Sequence, residues 1–109
     1  MIKHKYGSYD DSQFADYLKQ LHKKIFWLLV YKDPTNVDKY AHVDFDQYFS
    51  NLMKELDGLN ELLGYPTEMI RLMSLLESAH IETTKQPFCF TEFRRLILDA
   101  HGVVDKIGR

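Results

Sequence analysis

Large apolar side chains recur along this chain at helical spacing in four separate blocks, with steps of three and four alternating in the first two. No other feature restricts the fold as much. The first block is Phe14, Leu18, Leu21, Ile25 and Leu28, and the second is Phe45, Phe49, Leu52, Leu56, Leu59 and Leu63. The third is Met69, Leu72, Met73, Leu76 and Ala79, and the fourth is Phe93, Leu96, Ile97, Ala100, Val103, Val104 and Ile107. At about 100° per residue each block becomes a narrow stripe along one face of a helix. The three–four alternation is the packing repeat of nearly parallel helix pairs. Four stripes too apolar to leave in water share one economical solution, a common interior. The sequence therefore predicts an all-α chain folded as a four-helix up-down bundle. No segment sustains a period-two alternation, so no sheet is expected.

Turn-forming residues set the boundaries. Ser8 and Asp11 stand in a cap-and-N3 relationship, so the first helix should begin near Ser8–Ser12. It should end at Asp33-Pro34, because proline disfavours helical geometry in the residue before it. The second helix is expected over about 44–63, closed by Gly64, with Tyr65-Pro66 restarting the chain. A link that short makes the second and third helices antiparallel neighbours. The third helix should occupy about 66–84. After a loop containing Pro87, Thr91 is the expected N-cap of a fourth helix reaching about residue 107. Asp57-Gly58 is read inside an unbroken second helix, with a bend there as the alternative. The 33–43 connection is the longest and is expected to hold a short extra helix, since Pro34 suits a first helical position and Val37, Tyr40 and Ala41 share a face. At 109 residues the chain is read as a single helical-bundle domain over 1–109, with 1–8 as a leader.

Charge and cysteine content exclude several classes of function. Fourteen basic residues face sixteen acidic ones, so composition forces no basic face and duplex nucleic acid is not an expected partner. Cys89 is the lone cysteine; no intrachain disulfide or cysteine-based zinc site is expected, and a reducing, cytoplasmic location is the natural reading. The longest apolar run, Ile25 to Tyr31, is far short of the roughly 20 residues that span a bilayer.

One helix carries more apolar surface than a simple bundle needs. With the core stripe of the first helix set at zero, Phe26, Trp27 and Val30 fall between about 120° and 220° around it, with Tyr31 at the edge. Either the 33–43 segment folds back and covers these rings with Val37 and Tyr40, or they form a contact surface for a protein partner or a second copy of the chain. Eleven of the fifteen aromatic residues precede residue 50, which biases the N-terminal half toward recognition. The leading expectation is a non-enzymatic protein–protein interaction module, such as an inhibitor, immunity protein or adaptor, that binds through Phe26, Trp27, Val30 and Tyr31.

The fourth helix offers a second expectation. Arg94 and His101 lie two turns apart and leave the same flank, whereas Arg95 points elsewhere. Their spacing resembles the Arg-x4-6-His signature of HEPN-type ribonucleases, which are small, mainly helical and usually dimeric. The resemblance implies that Arg94 and His101 act at a dimer cleft on an RNA phosphodiester, the guanidinium stabilising charge and the imidazole moving protons. It covers this motif and the helix count only. Arg95 stands where that family commonly has a polar residue. The bland alternative is an exposed arginine and a half-buried histidine.

Glu77 and His80 form an i, i+3 carboxylate–histidine pair of the kind used in iron-binding bundles, but residues 1–54 contain no glutamate to complete a ligand set. His80 is read instead as a buried, hydrogen-bonded core histidine, His22 as a surface histidine near Asp16, Lys19 or Phe26, and Cys89 as packed. No metal, cofactor or small-molecule substrate is expected, and there is no glycine-rich phosphate loop or nucleophile elbow.

Overall fold

The computed structural model describes residues 2–4, 7–9, 11–36 and 38–107. Four helices carry the fold: α1 (Asp11–Lys32), α2 (Phe45–Leu63), α3 (Thr67–Glu82) and α4 (Phe90–Val104). Each stripe turns inward. Leu21, Ile25 and Leu28 of α1, Leu56 of α2, Leu72 and Leu76 of α3, and Phe93 and Ile97 of α4 retain at most 1% of their accessible surface. The helices follow one another around this core, α1 beside α2, α2 beside α3 and α3 beside α4, and α4 returns to pack on α1. Packing is closest between α3 and α4. Each gives a fully buried alanine, Ala79 and Ala100, to the interior, and small side chains let helix axes approach. Leu29 adds to the core beyond its stripe.

Local chemistry explains most of the boundaries. Asp33 ends α1: its carboxylate accepts from the Thr35 amide and hydroxyl at 2.9 and 2.8 Å, a turn that competes with further helix. Those bonds hold the Asp33 carboxyl below its ordinary range. Asp44 caps α2 by accepting from the Gln47 amide at 3.0 Å. Gly64 closes that helix with φ 80° and ψ 31°, a left-handed conformation that glycine adopts without steric cost. Between these caps α2 runs unbroken through Asp57-Gly58.

Several expectations are corrected. The N-terminal residues form a minimal antiparallel ribbon, β1 (Ile2–His4) with β2 (Gly7–Tyr9), in register Ile2↔Tyr9, Lys3↔Ser8 and His4↔Gly7. It lies beside α2. Strands of three residues are too short to display period-two patterning. Ser8 belongs to this ribbon, and α1 starts at Asp11. In the 33–43 connection the chain makes successive turns, with Asn36 N–H on Asp33 O, Tyr40 N–H on Asn36 O and Val43 N–H on Tyr40 O. No extra helix forms among its described residues, and Val37 lies outside them. Pro66 occupies the cap position of α3 and not its first turn. Cys89, not Thr91, holds the cap position of α4, without a side-chain hydrogen bond, and Thr91 lies inside the helix. The apolar signal of Phe90 and Phe93 starts the helix earlier than the nearest hydroxyl would suggest.

Candidate functional site

The outward face of α1 does not behave as one patch. Tyr31 is half-buried at the centre of an aromatic cluster, with ring centroids 5.4 Å from Trp27, 5.4 Å from Tyr40 and 5.2 Å from Tyr48. Tyr40 also meets Trp27 edge-on at 5.9 Å. The 33–43 connection therefore folds back only in part as expected: Tyr40 packs on Tyr31 and on the edge of Trp27, and Val37 lies outside the described residues. Tyr48 anchors the other side by donating its hydroxyl to the Lys24 carbonyl at 2.7 Å. Burial, with Tyr31 and Glu55 nearby, pushes that phenol up to about 12. A 2.7 Å ion pair between Lys24 and Glu55 joins α1 to α2 at the same seam.

Phe26 escapes this cover, and Trp27 is covered on one side only. They keep 52% and 40% of their surface in solvent, and Leu98 of α4 keeps 40%. With half-buried Val30, Phe26 forms a wall shared by two adjoining depressions between α1 and α4. One also meets Leu29, Phe90, Arg94 and Leu98, and the other meets His22, Lys23, Trp27 and His101. Tertiary packing thus brings the aromatic face of α1 and the Arg94–His101 flank of α4 into one groove. The two motifs were separate in the sequence reading.

Arg94 and Arg95 show why adjacent residues differ. Arg95 lies 2.9 Å from Glu92 and 3.7 Å from Asp99, one turn either side on α4, and Glu92 in particular raises its affinity for its proton. Arg94 is exposed and has no ion-pair partner among the described residues.

His101 is tied to α1. Its Nε2 lies 2.9 Å from His22 Nδ1, and His22 Nε2 lies 2.9 Å from Asp105 Oδ1. A carboxylate only accepts, so His22 carries its proton on Nε2; in the neutral ring Nδ1 then accepts from His101 Nε2–H. The chain Asp105–His22–His101 leaves His101 Nδ1 with a lone pair. Burial, then the neighbouring His22, lowers the His101 pKa against an opposing pull from Asp105. A base that is neutral near pH 7 results. Reading His22 as a neighbour of Asp16, Lys19 or Phe26 missed this partner 79 residues away. One signal was present: His22 follows buried Leu21 and His101 follows buried Ala100, so both flank a core seam where neighbouring helices meet.

Other sequence candidates resolve as structure. His80 is half-buried and not fully enclosed: it stacks on Phe49 at 4.4 Å and lies 3.1 Å from Asp46. Glu77 is exposed, and among the described residues no three or more His, Cys, Asp or Glu gather as a metal ligand set. Cys89 is exposed and not packed, while its neighbours Phe88 and Phe90 turn toward Phe93, with centroids at 5.7 and 6.3 Å. No helix among the described residues is long and apolar enough to cross a membrane.

Fold and groove together define a small four-helix bundle with an uncovered aromatic edge between its first and last helices. Comparison with known families, curated proteins and solved structures finds no match to this chain. The Arg94–His101 spacing therefore rests on its own geometry.

Proposed function

We propose that this protein is a protein–protein interaction module of the inhibitor, immunity-protein or adaptor kind, acting in a reducing cytoplasmic setting. It binds a protein partner through the α1–α4 groove, with Phe26 and Trp27 as anchors and Val30 beside them. The observation that carries this reading is the clustering of Phe26, Trp27 and Leu98, three of the six exposed large hydrophobic residues among those described, on one edge. Exposed aromatics at the centre of an apolar patch supply most of the binding energy in typical interfaces. Tyr31, half-buried under Tyr40, supports Trp27 from behind more than it offers a contact of its own.

The test compares wild type, Phe26→Asp, Trp27→Ala and Ile81→Asp as baits in the native host, with light scattering of each across a dilution series. Ile81 is an exposed apolar residue of α3 and serves as the control. Partner recovery or self-association should fall in the two α1 variants and persist in Ile81→Asp, with helical circular dichroism unchanged. Equal recovery and equal mass in all four proteins would reject the reading.

The Asp105–His22–His101 chain, two turns along α4 from Arg94, which has no ion-pair partner among the described residues, favours one second reading, phosphodiester cleavage of the HEPN type. There His101 Nδ1 takes a proton and Arg94 faces the phosphate. Purified protein should then cleave RNA, and Arg94→Ala and His101→Ala should each abolish the activity. Equal cleavage by wild type and both variants would mark contamination and remove this reading.

A further inference from the structure

We propose that His22 Nδ1 and His101 Nε2 together form a two-histidine site for a divalent transition metal of the copper or zinc type, with Asp105 orienting His22 from behind. The inference is independent of the protein-binding reading, because it rests on the histidines and not on the aromatic anchors.

The geometry of the two rings is the first argument. An in-line N–H···N bond between two imidazoles keeps the centroids roughly 5 Å apart. Here the nitrogens are 2.9 Å apart, yet the centroids are only 4.0 Å apart and the ring planes are inclined by 53°. The approach is therefore bent away from a straight hydrogen bond. Two nitrogens at about 2.0–2.1 Å from one metal, at the right angle of a tetragonal Cu2+ site, are themselves separated by about 2.9 Å, and at the tetrahedral angle of zinc by about 3.3 Å. The pair thus already has the nitrogen spacing of adjacent ligands, and rotation of the rings is what must bring both lone pairs onto one metal.

Proton positions are the second argument. A metal-bound histidine characteristically donates its other ring N–H to a carboxylate, which fixes the tautomer and raises the basicity of the ligating nitrogen. His22 has this arrangement: Nε2 faces Asp105 Oδ1 at 2.9 Å and Nδ1 faces His101. Metal binding asks only that His101 move its proton from Nε2 to Nδ1 through solvent, with no change in ring charge. Both ligands sit on packed helices, one residue beyond buried Leu21 and buried Ala100, so little ordering remains to be done on binding.

The setting defines the ligand class. Imidazole nitrogens suit copper, zinc and nickel, and the Irving–Williams order places Cu2+ above Zn2+. With no third ligand gathered among the described residues, the remaining positions go to water, so binding is weaker than at a closed structural zinc site. Lys23 shares the rim and opposes a cation, while the Asp105 carboxylate favours one. Phe26, Trp27 and Val30 line the same depression.

The experiment is a titration of the full chain with Cu2+, followed by calorimetry and electron paramagnetic resonance, and then with Zn2+. One Cu2+ per chain should bind with hyperfine structure from two nitrogens. His22→Ala and His101→Ala should each abolish that signal, and Asp105→Asn should weaken binding by about 10–100-fold. His80→Ala and His42→Ala should bind as wild type does. Absence of saturable Cu2+ binding by the wild type would overturn the proposal without recourse to any variant. So would a signal that survives loss of either His22 or His101, and undiminished affinity in Asp105→Asn would overturn the role given to the carboxylate.

Discussion

Phe26 and Leu28 are two residues apart on α1, yet one keeps 52% of its surface exposed and the other none. Truncating each to alanine tests whether the bundle turns α1 as described. Leu28→Ala leaves a cavity in a closed core, and such changes cost about 2–5 kcal/mol. That is a large share of the roughly 5–15 kcal/mol by which a domain is stable. With a urea m-value of about 1.5 kcal/mol/M, the unfolding midpoint should fall by roughly 1.5–3 M. Phe26→Ala leaves no cavity. It forfeits roughly half of a burial worth about 1.5–3 kcal/mol, or about 1 kcal/mol, and the better helix propensity of alanine offsets about half of that. Its midpoint should fall by roughly 0.3 M. The assay is urea unfolding followed by circular dichroism, at high dilution so that self-association does not contribute. A loss for Phe26→Ala that matches Leu28→Ala under those conditions would refute the orientation of α1 and, with it, the proposed contact face.

Further outcomes follow from single contacts. His101 is held below its ordinary value of 6.5, so the unfolded chain binds more protons across the window below that value. Stability should therefore be complete above about pH 7 and decline as pH falls through the His101 value in the folded state; the pH dependence of the urea midpoint between 5 and 8 should flatten in His101→Asn, and an unchanged slope would contradict the assignment. Asp44→Ala should cost about 1 kcal/mol through loss of the cap on α2, whereas Thr91→Ala should be nearly neutral because Thr91 lies inside α4; thermal melts of the two variants decide it. A Cβ added at Gly58 or Gly102 meets nothing within 4 Å, so alanine at either should raise stability by about 0.5–1 kcal/mol. Gly64→Ala should lower it by about 1 kcal/mol, since Gly64 has φ 80°, and chemical denaturation of the three variants shows whether the signs divide this way.

By itself the sequence determined what each helix does about its own axis. The three–four spacing assigns every large side chain a direction, so the buried faces of Ile25, Leu56, Leu76 and Ile97 and the outward turn of Phe26 and Trp27 were legible before any coordinates. The Gly64 cap was legible for a local reason too, since glycine alone takes a left-handed conformation without steric cost, whereas the capping role of Asp44 came from the structure. Where a backbone ribbon, a cap without a capping side chain at Cys89, or a series of turns in 33–43 took over, no local signature existed to read. Only the tertiary structure decided how one helix is set against another. Periodicity leaves free the rotation and sliding of α1 relative to α4, and packing of the two stripes selects one setting. That setting puts His22 against His101, 79 residues away, and against Asp105, 83 residues away. It also leaves Phe26 exposed in a depression shared with Arg94 and Leu98, because contacts between helices depend on distances that no single helix contains.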